Sequence, residues 1–145
     1  MAGMIPTISS GVAGPLGVLH LPRFWSKVLM SAKGVLNEEY PACGGGFDQM
    51  VLDALGLDKD ATLAYINDNL PTYPAFEAWV LAQSGGSLDA DAVAELNAAI
   101  TGYNHDDDTR TSILGASGIS DDGSILDAVN LNNLDDWYEF HASLG

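Results

Sequence analysis

Cations are scarce in this chain. Among its 145 residues only Arg23, Lys27, Lys33, Lys59 and Arg110 are basic, against 20 Asp and Glu, and the formal net charge is -15. A nucleic-acid binder needs a basic stripe to displace counterions from phosphates, and five scattered cations do not make one. Nucleic acid is therefore not an expected partner, and anionic membrane surfaces are disfavoured on the same ground. The acidity speaks to solubility or to a salty habitat more than to fold, with a cationic partner as the other reading.

Cysteine is scarcer still. A single Cys43 permits no internal disulfide and no Cys-rich zinc site. The lack of cystines fits a reducing compartment, and the cytoplasm is the expected location. Long apolar runs are also missing. The stretch from Met1 to Pro22 has no acidic or basic side chain apart from His20, but no positive segment opens it, and Pro6, Gly11, Gly14, Pro15 and Gly17 interrupt it throughout. Neither a signal-peptide core nor a membrane span is continuous there. Residues 1–21 read as an irregular arm lying on the core or on a neighbouring subunit. Sustained apolar alternation is absent, so no strand is expected.

What remains is a composition of 47% hydrophobic and 17% charged residues, that of a globular chain of one-domain size. Pro22 suits the first turn of a helix over 22–33, with Phe24, Trp25, Val28, Leu29 and Ala32 as its apolar stripe. Residues 37–46 hold a proline and three successive glycines and read as a loop. A short helix follows over 47–55, with Gly56 at its end, then one capped by Asp58 that stops before Pro71. Thr72 and Asp89 cap two more, the second patterned by Val93, Leu96, Asn97 and Ile100. A helix over 106–115 opens on three aspartates that complement the positive end of its dipole. The C-terminal stretch reads as one helix, or two joined near Asn130, starting at a capping box of Ser124 and Asp127. The expected fold is all-α, a single-domain bundle of seven or eight short helices spanning 22–145.

Polar groups are densest from Gly102 to Asp108. At a helix N-terminus, His105 feels the dipole lowering its pKa and the neighbouring carboxylates raising it, which makes it a candidate acid or base near neutral pH. Tyr103 and Asn104 would then orient a ligand. The plainer reading has Asn104 or Asp106 capping the helix and His105 on the surface. A metal would use His105 with Asp106 or Asp108 and a second histidine, His20 or His141. Neighbouring residues on one helix diverge, though, and no His-x-x-x-His pair exists, so no metal and no cofactor are expected.

The glycine triplet brings Tyr40, Cys43 and Asp48 to a loop-to-helix junction, where Cys43 is a nucleophile or, more plainly, a small buried hydrophobe. His20 and Arg23 share the start of the first helix and either hold an anionic ligand or tie the arm to acidic side chains. Trp25, Trp79, Tyr103 and Trp137 read as core aromatics, although two of them, Trp79 among the candidates, could line a pocket.

The order Leu21-Pro22-Arg23, Tyr40-Pro41, Asp48-Gln49, Phe76-Glu77-Ala78-Trp79, then Asn97-Ala98-Ala99-Ile100 running into Gly102-Tyr103-Asn104-His105, and finally Asp135-Asp136-Trp137, resembles the bacterial domain-of-unknown-function family DUF 5069 over residues 14–145. The resemblance implies a small helical bacterial protein of unassigned activity. Two functions are expected from the whole. One is a cofactor-independent enzyme or small-molecule binder, with His105, Tyr103 and Asp48 as catalytic candidates and His20, Arg23, Asn104, Tyr40 and Trp79 as ligand contacts. The other is a structural or interaction protein, a homo-oligomer joined through the arm.

Overall fold

Helix boundaries follow the capping residues closely. A computed structural model describes residues 3–145 and contains seven helices: α1 Leu21–Ala32, α2 Phe47–Leu55, α3 Lys59–Asn69, α4 Tyr73–Gln83, α5 Ala90–Thr101, α6 Asp107–Ser117 and α7 Ala128–Ser143. Asp58, Thr72, Asp89, Asp106 and Asp127 each occupy an N-cap and accept a backbone N–H from the first turn. Each such cap satisfies a donor the helix leaves orphaned and contributes about 1 kcal/mol. Among the described residues there are isolated bridges but no strand, and the fold is all-α.

Two expectations near the C-terminus need correction. α6 runs past Gly115 and ends at Gly118, whose positive φ of 73° provides the left-handed stop that Gly115 does not. Asp127, not Ser124, begins a single uninterrupted α7, because the Ser124 amide is already held in a turn by Asp122 Oδ1.

The core is built around α1, which packs against α2, α3 and α4, while α5 joins α2 to α7 and α6 covers α7. Leu21, Phe24 and Val28 lie on one stripe of α1 and are fully buried with Val51, Leu52, Ile66, Phe76 and Ile100. Trp25 and Trp79 are partly buried against this core, as their helical spacing implies. Tyr103 and Trp137 are not core residues: they are 49% and 63% exposed. Tyr103 sits in the α5–α6 connection, and Trp137 lies on an exposed side of α7, since that helix turns Ala128, Leu131 and Asp136 inward.

The arm lies on its own chain over its described length. Ile5, Ser10 and Val18 are buried, the Leu16 amide donates to Glu77 Oε2, and Asn97 bridges the Leu19 amide and the Gly17 carbonyl. No helix among the described residues is long and apolar enough to cross a membrane.

At Gly14 the arm touches α4 so closely that a Cβ would collide with the Tyr73 ring and lie 2.7 Å from Glu77 Oε2. Gly14→Ala is therefore expected to destabilise the protein by about 1–3 kcal/mol in urea unfolding, since both side chains are held by the Tyr73–Glu77 hydrogen bond. Gly45→Ala, with nothing within 4 Å of its Cβ, is the control and should be near neutral.

Candidate functional site

His20, Arg23 and Lys27 sit at spacings of three and four residues, so they share one face of α1 and its N-cap, beside the apolar stripe. That face is buried, with all three side chains 7% exposed or less. A buried charge is tolerated only when it is paired, and each cation here has its own carboxylate. Lys27 Nζ donates to Asp48 Oδ2 at 2.6 Å, from the first turn of α2. Arg23 grips Asp136 of α7 with two nitrogens, at 2.6 and 3.0 Å, and also reaches the Ile8 carbonyl of the arm. Tyr40 Oη donates to Asp136 Oδ1 at 3.0 Å, with the Arg23 guanidinium 6.0 Å from the centre of its ring.

Asp48 is the most heavily coordinated group in this arrangement. It accepts from His20 Nε2 at 2.6 Å, from Lys27, and from the Gly44 amide at 2.8 Å. Burial pushes its carboxyl up, but the His20 hydrogen bond and the Lys27 charge outweigh that and hold it at about 2. For His20 burial is the dominant effect and lowers its pKa, so the imidazole is neutral. A carboxylate can only accept, so Nε2 carries the proton, and Nδ1 accepts from Ser10 Oγ at 2.9 Å. To make these contacts His20 adopts a left-handed backbone, φ 69°. Histidine visits that region more readily than most non-glycine residues.

Above this floor opens a cleft of about 480 Å³, walled by Tyr40, the Gly44–Gly46 turn, Phe47, Tyr103, His105, Asn132 and Asp135, with Glu39 at its lining as well. The Phe47 ring bridges the two levels, meeting His20 edge-on at 5.5 Å and Tyr103 at 5.6 Å. His105 Nε2 lies 2.8 Å from Asn132 Oδ1. With the amide oxygen as acceptor, Nε2 carries the hydrogen and Nδ1 is the nitrogen that can take a proton.

The structure thus brings together His20, Arg23, Tyr40, Asp48, Tyr103 and His105, which come from four segments of the chain. Asn104 does not join them; it is exposed and pairs through its backbone with Asp127. Trp79 is elsewhere too, stacked on Tyr65 at 4.7 Å across α3 and α4. His141 is exposed near the end of α7. Asp48 is poorly suited to act as a base, because its oxygens are engaged and its proton affinity is low. Arg23 is likewise a tie between helices and arm, its preferred reading from sequence.

Cys43 packs against the core, and burial followed by the Asp48 charge raises its thiol pKa, the opposite of an activated nucleophile. Among the described residues no group of three His, Cys, Asp or Glu side chains is placed to hold a metal ion.

Sequence reasoning missed Lys27, Asp136, Asp135, Asn132, Glu39 and Ser10. The helical spacing of His20, Arg23 and Lys27 was a usable signal, as was the stripe Asn132, Asp135, Asp136 and Glu139 at positions i, i+3, i+4 and i+7 of one helix. No family model and no curated protein matches this chain.

Two outcomes follow from the floor. Asp48→Asn leaves Lys27 buried without its counter-charge and should cost about 3–5 kcal/mol in equilibrium unfolding. The pH dependence has two parts. Because the folded pKa of His20 lies below its unfolded value of about 6.5, the unfolded state binds more protons below that pH, and stability should fall as pH drops from there. His20→Asn, which suits the left-handed backbone but does not titrate, should flatten that limb. The depressed Asp48 gives a second loss below pH 4, continuing toward its folded value near 2, of which the His20 variant keeps the part that Lys27 maintains.

Proposed function

We propose that the protein binds a small molecule in the cleft between α1, α2, α7 and the α5–α6 connection, and that His105 Nδ1 exchanges a proton with it. The observation that carries this reading is the convergence on one concave site of six residues suspected in three separate groups. The division of roles within the site supports it. Ion pairs and hydrogen bonds satisfy the floor, whereas the half-exposed Tyr103 and the half-buried His105 line the wall. His105 is oriented by Asn132, as a proton-transferring histidine needs to be. Five residues of the DUF 5069-like motifs, Arg23, Tyr40, Asp48, Tyr103 and His105, line this same cleft, whereas Trp79 and Asn104 of those motifs lie elsewhere.

Thermal unfolding against carboxylic acids, phosphate esters, amines and neutral metabolites tests the reading. A true ligand at about a hundredfold excess over its Kd should raise the midpoint by roughly 5 °C or more. His105→Ala should abolish that rise while shifting the unliganded midpoint little. A panel without any His105-dependent shift would defeat the proposal.

A second reading, an interaction module, draws support from the outer face of α7. Trp137, Phe140 and Leu144 are 63%, 51% and 71% exposed, and Trp137 and Phe140 border an apolar groove of about 360 Å³ beside Ile5 and Val12. Apolar exposure on this scale suits an interface. On that reading sedimentation velocity shows a concentration-dependent assembly that Trp137→Asp dissolves; a monomer at every concentration removes it.

A further inference from the structure

Charge matching within the cleft indicates the sign of the ligand, an inference that rests on the small-molecule reading of this same site. Each cation at the floor is neutralised by one carboxylate, Arg23 by Asp136 and Lys27 by Asp48. Two more carboxylates, Asp135 and Glu39, line the cleft, and neither forms an ion pair among the described residues. The lining therefore carries uncompensated negative charge. The Asp135 carboxyl pKa is raised first by burial and then by the negative charges of Asp136, Glu139 and Glu39, with Arg23 opposing them. A ligand bearing another negative charge would meet the same repulsion.

The remaining wall is aromatic. Phe47 and Tyr103 meet edge to face with centroids 5.6 Å apart, and Tyr103 is half exposed. Ring faces attract weakly hydrated cations, whereas a small metal ion asks for several converging oxygen or nitrogen ligands, which the described residues do not supply.

We infer that the cleft takes an organic ammonium ion, a primary or quaternary amine whose charged nitrogen is held by the Asp135 carboxylate and the rings of Phe47 and Tyr103. At about 480 Å³ the cleft suits a small metabolite-sized amine.

Isothermal titration of the full chain with choline and benzylamine, each beside its neutral counterpart 3,3-dimethylbutan-1-ol or benzyl alcohol, and with benzoate as the anion, provides the test. The cations should bind about ten-fold tighter than the neutral compounds, and rising sodium chloride should weaken only the cations. Asp135→Asn should reduce cation affinity by about ten-fold and leave that of the alcohols unchanged. The same variant should unfold at or above the wild-type midpoint, because it removes an ill-solvated carboxyl, so lost binding is not lost folding. Tyr103→Ala should weaken choline more than 3,3-dimethylbutan-1-ol. Equal binding of cation and alcohol, or tighter binding of benzoate, overturns the ammonium assignment while a His105→Ala-sensitive signal keeps the cleft as a ligand site. No binding by any of the five compounds overturns the ammonium assignment, and if the broader thermal panel is also silent the cleft reading falls with it.

Discussion

The pairing of Arg23 and Lys27 with carboxylates 113 and 21 residues away along the chain is the constraint on which the remaining structure depends. Both cations are buried on the face of α1 that flanks its apolar stripe. An uncompensated charge in such a place costs several kcal/mol, so α2 must present Asp48 and α7 must present Asp136 at fixed points. Buried pairs of this kind often add little net stability compared with apolar packing, but they tolerate few alternative arrangements. Their effect here is positional. α2 and α7 are pinned to α1 from two sides, and the cleft is the space left between them.

That geometry separates two kinds of polar group. At the floor, every strong donor and acceptor has its partner, and the His20–Asp48–Lys27–Gly44 cluster is a closed set of hydrogen bonds. Low dielectric strengthens such a network and makes any missing member expensive. At the wall, His105, Tyr103 and Asp135 stand where solvent or a ligand reaches them. Reactivity follows from this division, because a carboxylate saturated by three donors has little left to offer a substrate. Asp48 and Asp135 are the same residue type on one cleft lining, yet the first carboxyl is pushed down and the second up from the ordinary value. Their neighbours alone make the difference.

Much of the fold was legible because it is written in local rules. Five N-caps are Asp or Thr in the positions that backbone donors demand, and the stripe through Phe24 and Val28 has the period of the helix it builds. The site was legible only in part. His20, Arg23, Tyr40, Asp48, Tyr103 and His105 are unusual residues in unusual places, and suspicion of each was local as well. Lys27 and Asp136 were hidden because a lysine or an aspartate on a helix is ordinarily a solvated surface residue, and only a partner 21 or 113 residues away reveals otherwise. Trp137 misled for the converse reason: helical spacing identifies which residues share a face, but whether another element covers that face is a property of the whole chain.

The 113-residue span of the Arg23–Asp136 pair also has a meaning for synthesis. α1 leaves the ribosome long before α7, and until Asp136 emerges the site Arg23 occupies in the finished protein holds no counter-ion from α7. The nascent chain can condense its apolar stripe of Leu21, Phe24 and Val28 against α2, α3 and α4, but the polar side of α1 must stay wet. Chains cut short before α7 have Asp48 for Lys27 but lack the Asp136 carboxylate that neutralises Arg23 in the finished fold.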